Sequence, residues 1–307
     1  MSSVVQTTRP KRRLWRAETL EGVIFALPSI LGFLFFALGP TIVSLYLSFT
    51  EYNILKPATW IGMQNYIEAF TNDELFWIAV RVTAYYTVVS VPLNLLVAFL
   101  IAILLNQKIR FLSFHRTIWY MPAIVPAVAN AVLWQWVFNP DFGLFNLLVG
   151  KLGIPGPRWF VDSDTAIPAF IIMGLWGVGG GMLIYLGGLQ GIPQHLCEAV
   201  EIDGGGLWAR FRHVTIPMMT SVIFFNLIIG LINTFQVFTP AFVMTQGGPN
   251  YATHFYVFHL YKNAFQYLRM GYASALAWIL MLVMLLLTWL LFRSSNWVYY
   301  EGGEANR

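Results

Sequence analysis

Six long stretches of this chain contain no charged residue, and this pattern constrains the fold more than any other feature. They cover about residues 22–50, 82–106, 117–140, 165–194, 218–244 and 270–292. An α-helix rises about 1.5 Å per residue, so roughly 20 apolar residues cross the ~30 Å hydrocarbon core of a bilayer. Because six such stretches leave too little polar surface for a soluble fold, the sequence predicts an all-α, polytopic membrane protein with six transmembrane helices.

Composition and residue spacing exclude several kinds of site. Only 10% of the 307 residues are charged, against roughly a quarter in a soluble domain. The single cysteine, Cys197, excludes an internal disulfide, and His254 and His259 are five residues apart, which does not place them on one helix face. No segment matches the phosphate-binding pattern G-x-x-x-x-G-K-[ST]. We therefore predict no metal site, no catalytic residue and no ATPase site in this chain.

The basic residues of the connecting segments predict the orientation in the membrane. Alternate segments hold 12 and 6 of the 18 Lys and Arg residues. Since Lys and Arg are enriched in cytoplasmic loops, the set with 12, which includes both termini, is placed in the cytoplasm. The net charge of +4 is therefore explained by the basic cytoplasmic segments, and it does not indicate nucleic-acid binding. The predicted division is a cytoplasmic tail over residues 1–20, a membrane domain over 21–293 and a cytoplasmic tail over 294–307.

A glycine cluster lies inside the fourth apolar stretch. The glycines at 177 and 179–181 have no strand before them, so close packing of helices through small residues is a better interpretation than a nucleotide-binding loop. Gly187 and Gly191 are predicted to extend this small-residue surface.

The segment 194–217, between the fourth and fifth stretches, has the pattern of an amphipathic element. Pro193 suits the first turn of a helix in which Leu196, Ala199 and Val200 are predicted to share an apolar face. The glycines at 204–206 would stop that helix and permit a sharp turn. The residues alone leave two interpretations open: an interfacial helix that caps the bundle, or a surface that meets a cytoplasmic partner.

This segment resembles the EAA motif of the membrane subunits of binding-protein-dependent ABC importers. The matching residues are Glu198-Ala199-Val200, Asp203-Gly204, Phe211 and Ile216-Pro217. Further blocks within residues 20–292 are similar to carbohydrate permeases of the maltose and glycerol-3-phosphate type. They include Ser48-Phe49-Thr50-Glu51-Tyr52-Asn53, Asn139-Pro140-Asp141-Phe142-Gly143 and Thr245-Gln246-Gly247-Gly248-Pro249. Two departures are Val200, where the family usually has Ala, and Thr220, where many relatives have a second proline.

The resemblance implies that segment 194–217 couples the chain to a separate ATPase. The implied coupling residues are Glu198, Ala199, Asp203, Gly204, Trp208, Phe211 and Pro217. Glu198 would pair with a basic residue of the ATPase, Gly204 would allow close backbone approach, and the two aromatic residues would fill an apolar pocket.

The same resemblance implies an assembly in a bacterial or archaeal plasma membrane. It would contain a second, different permease, two ATPase copies that bind ATP and Mg, and an extracytoplasmic solute-binding protein that docks on loops 51–81, 139–165 and 245–270. This chain itself would hold no cofactor. The implied substrate is a carbohydrate.

A polar stripe in the fifth stretch is the candidate substrate-lining surface. The stripe and the aromatic residues predicted near it are Asn226, Gly230, Asn233, Gln236, Phe235, Trp176 and Tyr185. The four stripe residues follow one another at spacings of four, three and three, which places them on one helix face. Amides and aromatic rings suit a sugar, but buried amides in a membrane also bond between helices. Both roles remain open.

None of the six apolar cores contains an ionisable residue. Ion-coupled transporters and pumps usually need such a group inside the membrane, so the energy for transport is predicted to come from outside the membrane domain. The alternative is a stand-alone facilitator or secondary transporter in which segment 194–217 is only a gate. A third possibility is a noncatalytic membrane scaffold.

Overall fold

A computed structural model describes residues 11–107 and 110–299, with no description of the side chains of residues 11–20. Arg9, Lys108 and Arg307, three of the basic residues counted for the orientation, lie outside the described residues, as do the first half of the predicted N-terminal tail and the end of the C-terminal one. The α-helices are α1 (Lys11–Phe33), α2 (Gly39–Ser48), α3 (Gln64–Thr71), α4 (Glu74–Leu105), α5 (Leu112–Ile124), α6 (Ala127–Val137), α7 (Leu144–Lys151), α8 (Ser163–Trp176), α9 (Gly179–Gln190), α10 (Gln194–Ile202), α11 (Leu207–Arg210), α12 (Ile216–Phe235), α13 (Tyr256–Tyr261) and α14 (Met270–Arg293).

Shorter elements connect or extend these helices. The π-helical segments are Leu34–Leu38, Phe211–Thr215, Ala241–Thr245 and Lys262–Gln266, and a 3₁₀ turn covers Ser295–Trp297. Strands β1 (Thr50–Glu51) and β2 (Thr59–Trp60) pair antiparallel, with Thr50 opposite Trp60. The fold within the described residues is therefore helical, with one small hairpin after the first apolar stretch.

Four helical stretches are long and apolar enough to cross a bilayer unbroken. They are Glu21–Ser48, Glu74–Leu105, Leu207–Phe235 and Met270–Arg293. The third and fourth predicted stretches are each divided into two helices, with a bend of 100° between α5 and α6 and of 45° between α8 and α9. The described residues thus contain four candidate membrane spans, or six if each bent pair is counted as one, and the six are numbered below in chain order.

A proline explains the sharper bend. Val125 precedes Pro126 and has extended backbone angles, with φ −64° and ψ 128°. The proline ring clashes with a helical conformation of the residue before it, so the chain leaves the helix at this point. A single straight helix across residues 117–140 is therefore not formed.

Helices α4, α9 and α12 form one core of the bundle, whereas the first span contributes little to any core. Met182 and Tyr185 of α9 and Met219 of α12 are buried against α4. In the first span, no residue of its apolar 18-residue window is buried, and Phe25 and Phe36 are 84% and 86% exposed. The surface of this span is therefore available to lipid or to another chain.

Small residues bring α9 close to its neighbours, although not all the predicted glycines do so. A Cβ atom on Gly179 would lie 2.3 Å from the carbonyl oxygen of Trp119 in α5. A Cβ atom on Gly188 would lie 2.8 Å from a methyl group of Val222 in α12. Gly187 has no neighbour within 4 Å, and Gly191 approaches only the backbone of its own helix. The predicted extension through those two residues is wrong, and Gly188 provides the close contact.

Candidate functional site

Segment 194–217 consists of a short helix, a glycine turn and the beginning of the fifth span. The backbone N–H groups of Gly204 and Gly205 donate to the carbonyl oxygens of Glu201 and Val200 at 3.1 and 2.8 Å, which closes the end of α10. Gly204 has φ +77°, in the left-handed region that glycine adopts without steric cost. The helix therefore ends where the three glycines predict.

Helix α10 turns one side towards the bundle and the other towards solvent. Cys197 is buried and Val200 is half-buried, whereas Glu198 and Ala199 are exposed. Of the three residues predicted to share an apolar face, Leu196 and Val200 are half-buried and Ala199 is exposed. Cys197 supplies the buried contact, because it lies three residues before Val200 on the same side of the helix.

Large apolar side chains are exposed on both sides of the glycine turn. Ile202 and Leu207 are each 85% exposed, and Trp208 is 70% exposed. The ring of Trp208 lies 5.6 Å from that of Phe211, which in turn lies 6.4 Å from Phe99 of α4. Phe211 therefore packs partly against other residues of this chain, whereas most of the Trp208 side chain is exposed.

The carboxylates of this segment are only loosely held by the chain itself. Glu198 accepts a hydrogen bond from Gln194 at 2.8 Å, and Arg210 lies 3.9 Å from Glu201. An exposed ion pair of this kind contributes less than about 1 kcal/mol. Glu198, Glu201 and the exposed Asp203 can therefore exchange these contacts for others at little cost.

A second candidate site is a cavity of about 430 Å³ between α4, α9 and α12. Such a volume lies within the ~300–1,000 Å³ range of small-molecule sites. The polar side chains that line the cavity are Asn94, Tyr185, Asn226, Asn233 and Thr234. None of its lining residues is charged. The cavity can therefore offer hydrogen bonds and one aromatic ring, but no ion pair.

The structure brings together four of the seven residues predicted to line a pathway. Asn226, Gly230 and Asn233 of α12 face the cavity together with Tyr185 of α9. Asn226 is buried and donates to the carbonyl oxygen of Val222 at 3.0 Å, so its side-chain oxygen remains available to a ligand or to a neighbouring helix.

The other three predicted residues lie elsewhere. Gln236 follows the end of α12 and lines an apolar groove beside α14, with its amide nitrogen 3.9 Å from the sulfur of Met284. Phe235 lines a second apolar groove. Trp176 packs edge-on against Trp134, with ring centroids 5.8 Å apart. These three residues do not line the cavity.

Asn94 is a lining residue that sequence reasoning missed. The nitrogen of its side-chain amide donates to the carbonyl oxygen and the hydroxyl of Ser90 at 2.8 and 2.9 Å, so its side-chain oxygen is not used in these bonds. An amide in the middle of a charge-free stretch is a signal that could have drawn attention to it. The spacing within one stretch does not show, however, that Asn94 faces α12.

A polar network at the N-terminal end of α4 joins residues that are far apart in the sequence. Asp73 is the N-cap of α4 and accepts a hydrogen bond from the backbone of Phe76 at 3.0 Å. Its other carboxylate oxygen accepts from the Tyr272 hydroxyl at 2.6 Å and lies 3.0 Å from Nε2 of His259. Nδ1 of His259 lies 3.0 Å from Nε2 of His254. The two histidines, which do not share a helix face, therefore meet in a hydrogen-bonded chain.

The pKa values of Asp73 and His254 are shifted in this network. Burial would raise the pKa of Asp73, but hydrogen bonds with His259 and Tyr272 outweigh burial and lower this pKa. The carboxylate therefore stabilises the fold above about pH 4, and this contribution is lost as the pH falls further. Burial, together with the neighbouring His259 and Lys262, lowers the pKa of His254 to about 4.

We expect the protein to lose stability as the pH falls from 6.5 to 4, the ordinary and the folded pKa values of His254. The unfolded chain binds a proton at this residue over that interval and the folded chain does not, so the free energy of unfolding falls by up to about 3 kcal/mol. Thermal unfolding between pH 7.5 and 4.5 measures this change. His254→Gln keeps an N–H donor for His259 and should flatten the pH dependence; an unchanged slope would contradict the assignment.

Comparison with known proteins identifies the family. The model of the family described as binding-protein-dependent transport system inner membrane component matches residues 94–299. The chain belongs to this family. The permease is 40% identical over 299 residues to the probable ABC transporter permease protein YesP of Bacillus subtilis (strain 168), with 96% of each chain covered. It is 30% identical over 295 residues to the trehalose/maltose transport system permease protein MalF of Thermococcus litoralis. That alignment covers 94% of this chain and 96% of MalF.

Solved structures show the same fold. A chain of a bacterial ABC transporter involved in the import of the acidic polysaccharide alginate superposes with a TM-score of 0.80 at 22% identity, over 94% of this permease and 100% of that chain. A chain of the alginate transporter in complex with an alginate pentasaccharide-bound periplasmic protein gives a TM-score of 0.79 at 22% identity, over 92% of this permease and 97% of that chain. Family membership therefore does not favour the stand-alone facilitator.

Proposed function

We propose that this permease is one of two different membrane subunits of an importer that moves a carbohydrate into the cell. Separate ATPases would drive it through segment 194–217. The observation that carries this proposal is the exposed surface of that segment, where carboxylates and large apolar side chains lie side by side. Family membership supports it, and relatives at 30% and 40% identity are named as ABC transporter or sugar transport permeases.

The geometry of α10 and the glycine turn suits a protein partner. An exposed, rigid aromatic side chain such as Trp208 is a typical anchor of an interface. Around Gly204, no atom lies within 4 Å of the position that a Cβ would occupy, so the backbone of another protein can approach closely. Glu198 and Asp203 would pair with basic residues of the ATPase, and the small side chain of Ala199 would pack against the ATPase surface. Pro217 then begins the span that the ATPase would move.

The ATPase would hold ATP and Mg, and this chain would supply none of their ligands. Closure of two ATPase copies would displace α10 and rock the spans between inward and outward access. In this arrangement the chain would cross the membrane six times, and both termini would lie in the cytoplasm, as the distribution of basic residues predicts.

The first span supports the presence of a second permease. Its apolar window is unburied within this chain, whereas a third of the window of the second span is buried. A partner permease would cover part of this surface and would complete the pathway beside the cavity between α4, α9 and α12. The solute-binding protein would dock at the opposite end, on loops 51–81, 139–165 and 245–270.

Reconstitution tests the proposed function. We expect liposomes that contain the permease alone to show no uptake. Liposomes with both permeases, the ATPases and the loaded binding protein should accumulate a labelled oligosaccharide, chosen from a panel of neutral and acidic sugars by its binding to the purified binding protein. Equal uptake with and without ATP would contradict an ATP-driven importer and favour facilitated diffusion.

The amides of the cavity should affect transport more than the amide outside it. We expect Asn94→Leu and Asn233→Leu each to lower kcat/KM for uptake about two- to tenfold, because each removes a hydrogen-bonding group worth about 0.5–1.5 kcal/mol. Gln236→Leu is the matched variant outside the cavity and should have a smaller effect. Unchanged affinity and rate in both cavity variants would instead favour a packing role for these amides.

A further inference from the structure

The chain after the sixth span returns to the beginning of the fifth. Helix α14 ends at Arg293, where the Ser294 hydroxyl donates to the carbonyl oxygen of Leu291 at 3.0 Å. The 3₁₀ turn Ser295–Trp297 follows, and the backbone N–H of Val298 donates to the carbonyl oxygen of Ser295 at 2.9 Å. We call residues 294–299 the return segment. These hydrogen bonds turn the chain away from the axis of α14.

Two contacts fasten the return segment to the fifth span. The backbone N–H of Tyr299 donates to the hydroxyl of Thr220 at 2.8 Å. One helical turn further along α12, the buried Phe224 meets the ring of Trp297 at 6.1 Å and that of Phe292 at 5.2 Å. One polar and one aromatic contact therefore join the cytoplasm-proximal ends of the fifth and sixth spans.

The hydroxyl of Thr220 is the link between this contact and segment 194–217. It accepts from Tyr299 and also donates to the carbonyl oxygen of Pro217 at 2.7 Å. Pro217 is the last residue of the segment proposed to meet the ATPase. A proline at position 220, as in the permeases that this sequence resembles, could provide neither hydrogen bond, because it lacks a hydroxyl.

The sixth span extends this connection to the other end of the bundle. Tyr272, in the first turn of α14, donates to Asp73 at 2.6 Å. Nη2 of Arg269, immediately before α14, donates to both carboxylate oxygens of Glu68 at 2.6 Å. Helix α14 therefore connects the return segment with the network that joins α3, α4 and α13.

We infer that Thr220 is a positioning residue that makes the fifth and sixth spans move together when segment 194–217 is displaced. The inference rests on the proposed function, since it assumes that an ATPase moves that segment. Thr220 acts through the return segment and touches neither substrate nor nucleotide. Without its hydroxyl, only the aromatic one of the two contacts, that of Trp297 with Phe224, holds the return segment to α12, so a larger fraction of molecules separates there as the fifth span moves.

Distance measurements on the assembled importer test this inference. Spin labels at Phe225→Cys, on the exposed side of α12 and outside segment 194–217, and at the exposed Asn296→Cys, in a Cys197→Ser background, report the separation of the fifth span from the return segment. The distance distribution is measured without nucleotide and with magnesium ATP and vanadate. Thr220→Val removes the hydroxyl and keeps the side-chain shape, whereas Thr220→Ser keeps the hydroxyl. Thr117→Val is the control, because that hydroxyl bonds only within its own helix, to Ser113 at 2.9 Å.

We expect one unchanged distance in both nucleotide states for the otherwise unmodified protein, Thr220→Ser and Thr117→Val. Thr220→Val should raise the ratio of separated to joined molecules about two- to tenfold in the nucleotide-bound state, as expected for the loss of one hydrogen bond. Three results would overturn the inference: no change in Thr220→Val, equal changes in Thr220→Val and Thr220→Ser, or an ATP-dependent distance change in the unmodified protein. Absence of ATPase subunits or of ATP hydrolysis in the purified complex would instead refute the proposed function.

Discussion

Gly204→Asp should abolish uptake by the assembled importer while leaving the amount of permease in the membrane unchanged. Position 204 has φ +77°, and Asp is among the few residues that enter this region at a cost of about 1–2 kcal/mol. No atom of the chain lies within 4 Å of the new Cβ position, so the permease itself should still fold. The side chain would occupy the space that the ATPase backbone needs, and it would add a third negative charge near Glu201 and Asp203.

Gly206→Asp is the matched control for this variant. Gly206 also has no neighbour within 4 Å of its Cβ position, and its φ of −86° is ordinary. Gly206→Asp adds the same charge two residues from position 204, so we expect this variant to retain most of its uptake. Copurification of the ATPase with each variant and ATP-driven uptake in liposomes are the measurements. Normal uptake by Gly204→Asp, or an equal loss in both variants, would show that close approach at position 204 is not required.

Asp73→Ala should be the most destabilising change at the opposite end of the bundle. The substitution removes the N-cap of α4, the hydrogen bond from Tyr272 and the contact with His259. Hydrogen bonds to a charged group contribute about 1.5–3 kcal/mol each, and a cap about 1 kcal/mol. Because contributions within one network are not fully additive, we expect the free energy of unfolding to fall by about 3–5 kcal/mol, measured by thermal unfolding of the purified protein at neutral pH.

Two further substitutions separate the parts of this effect. Asp73→Asn keeps a good N-cap but removes the charge, so its loss of stability should be smaller than that of Asp73→Ala. Glu74→Ala removes an exposed carboxylate from the first turn of the same helix and should cost less than about 1 kcal/mol. Equal losses for Asp73→Ala and Glu74→Ala would mean that the network with Tyr272 and His259 does not stabilise the protein.

The glycine turn illustrates what local sequence rules predict well. Gly204 stops α10 because only a residue that tolerates positive φ can follow the last turn without cost. The exposure of Glu198 follows from its place on the polar side of a short amphipathic helix. In the same helix, the sequence did not single out Cys197 as the buried residue, because a lone small side chain gives no signal of the neighbours that will cover it; Ala199, two positions on, lies on the opposite face.

The candidate cavity shows where sequence reasoning ends. Helical spacing places Asn226 and Asn233 on one face of α12, and the structure places both at the cavity. The same spacing includes Gln236, but α12 ends at Phe235, so the stripe does not continue. Asn94 lies on another helix, and no pattern within its own stretch shows which helix it faces.

The sequence by itself determined the membrane class of this protein and its candidate coupling segment. Both depend on interactions between residues close in the chain: the transfer of about 20 consecutive apolar residues into lipid, and the ending of a helix at glycine. The tertiary structure alone decided which amides share a cavity, that His254 and His259 meet, and that Thr220 holds the return segment. These contacts depend on how separate helices pack and bend, as at Pro126, and packing between distant segments leaves no periodic signal in either segment alone.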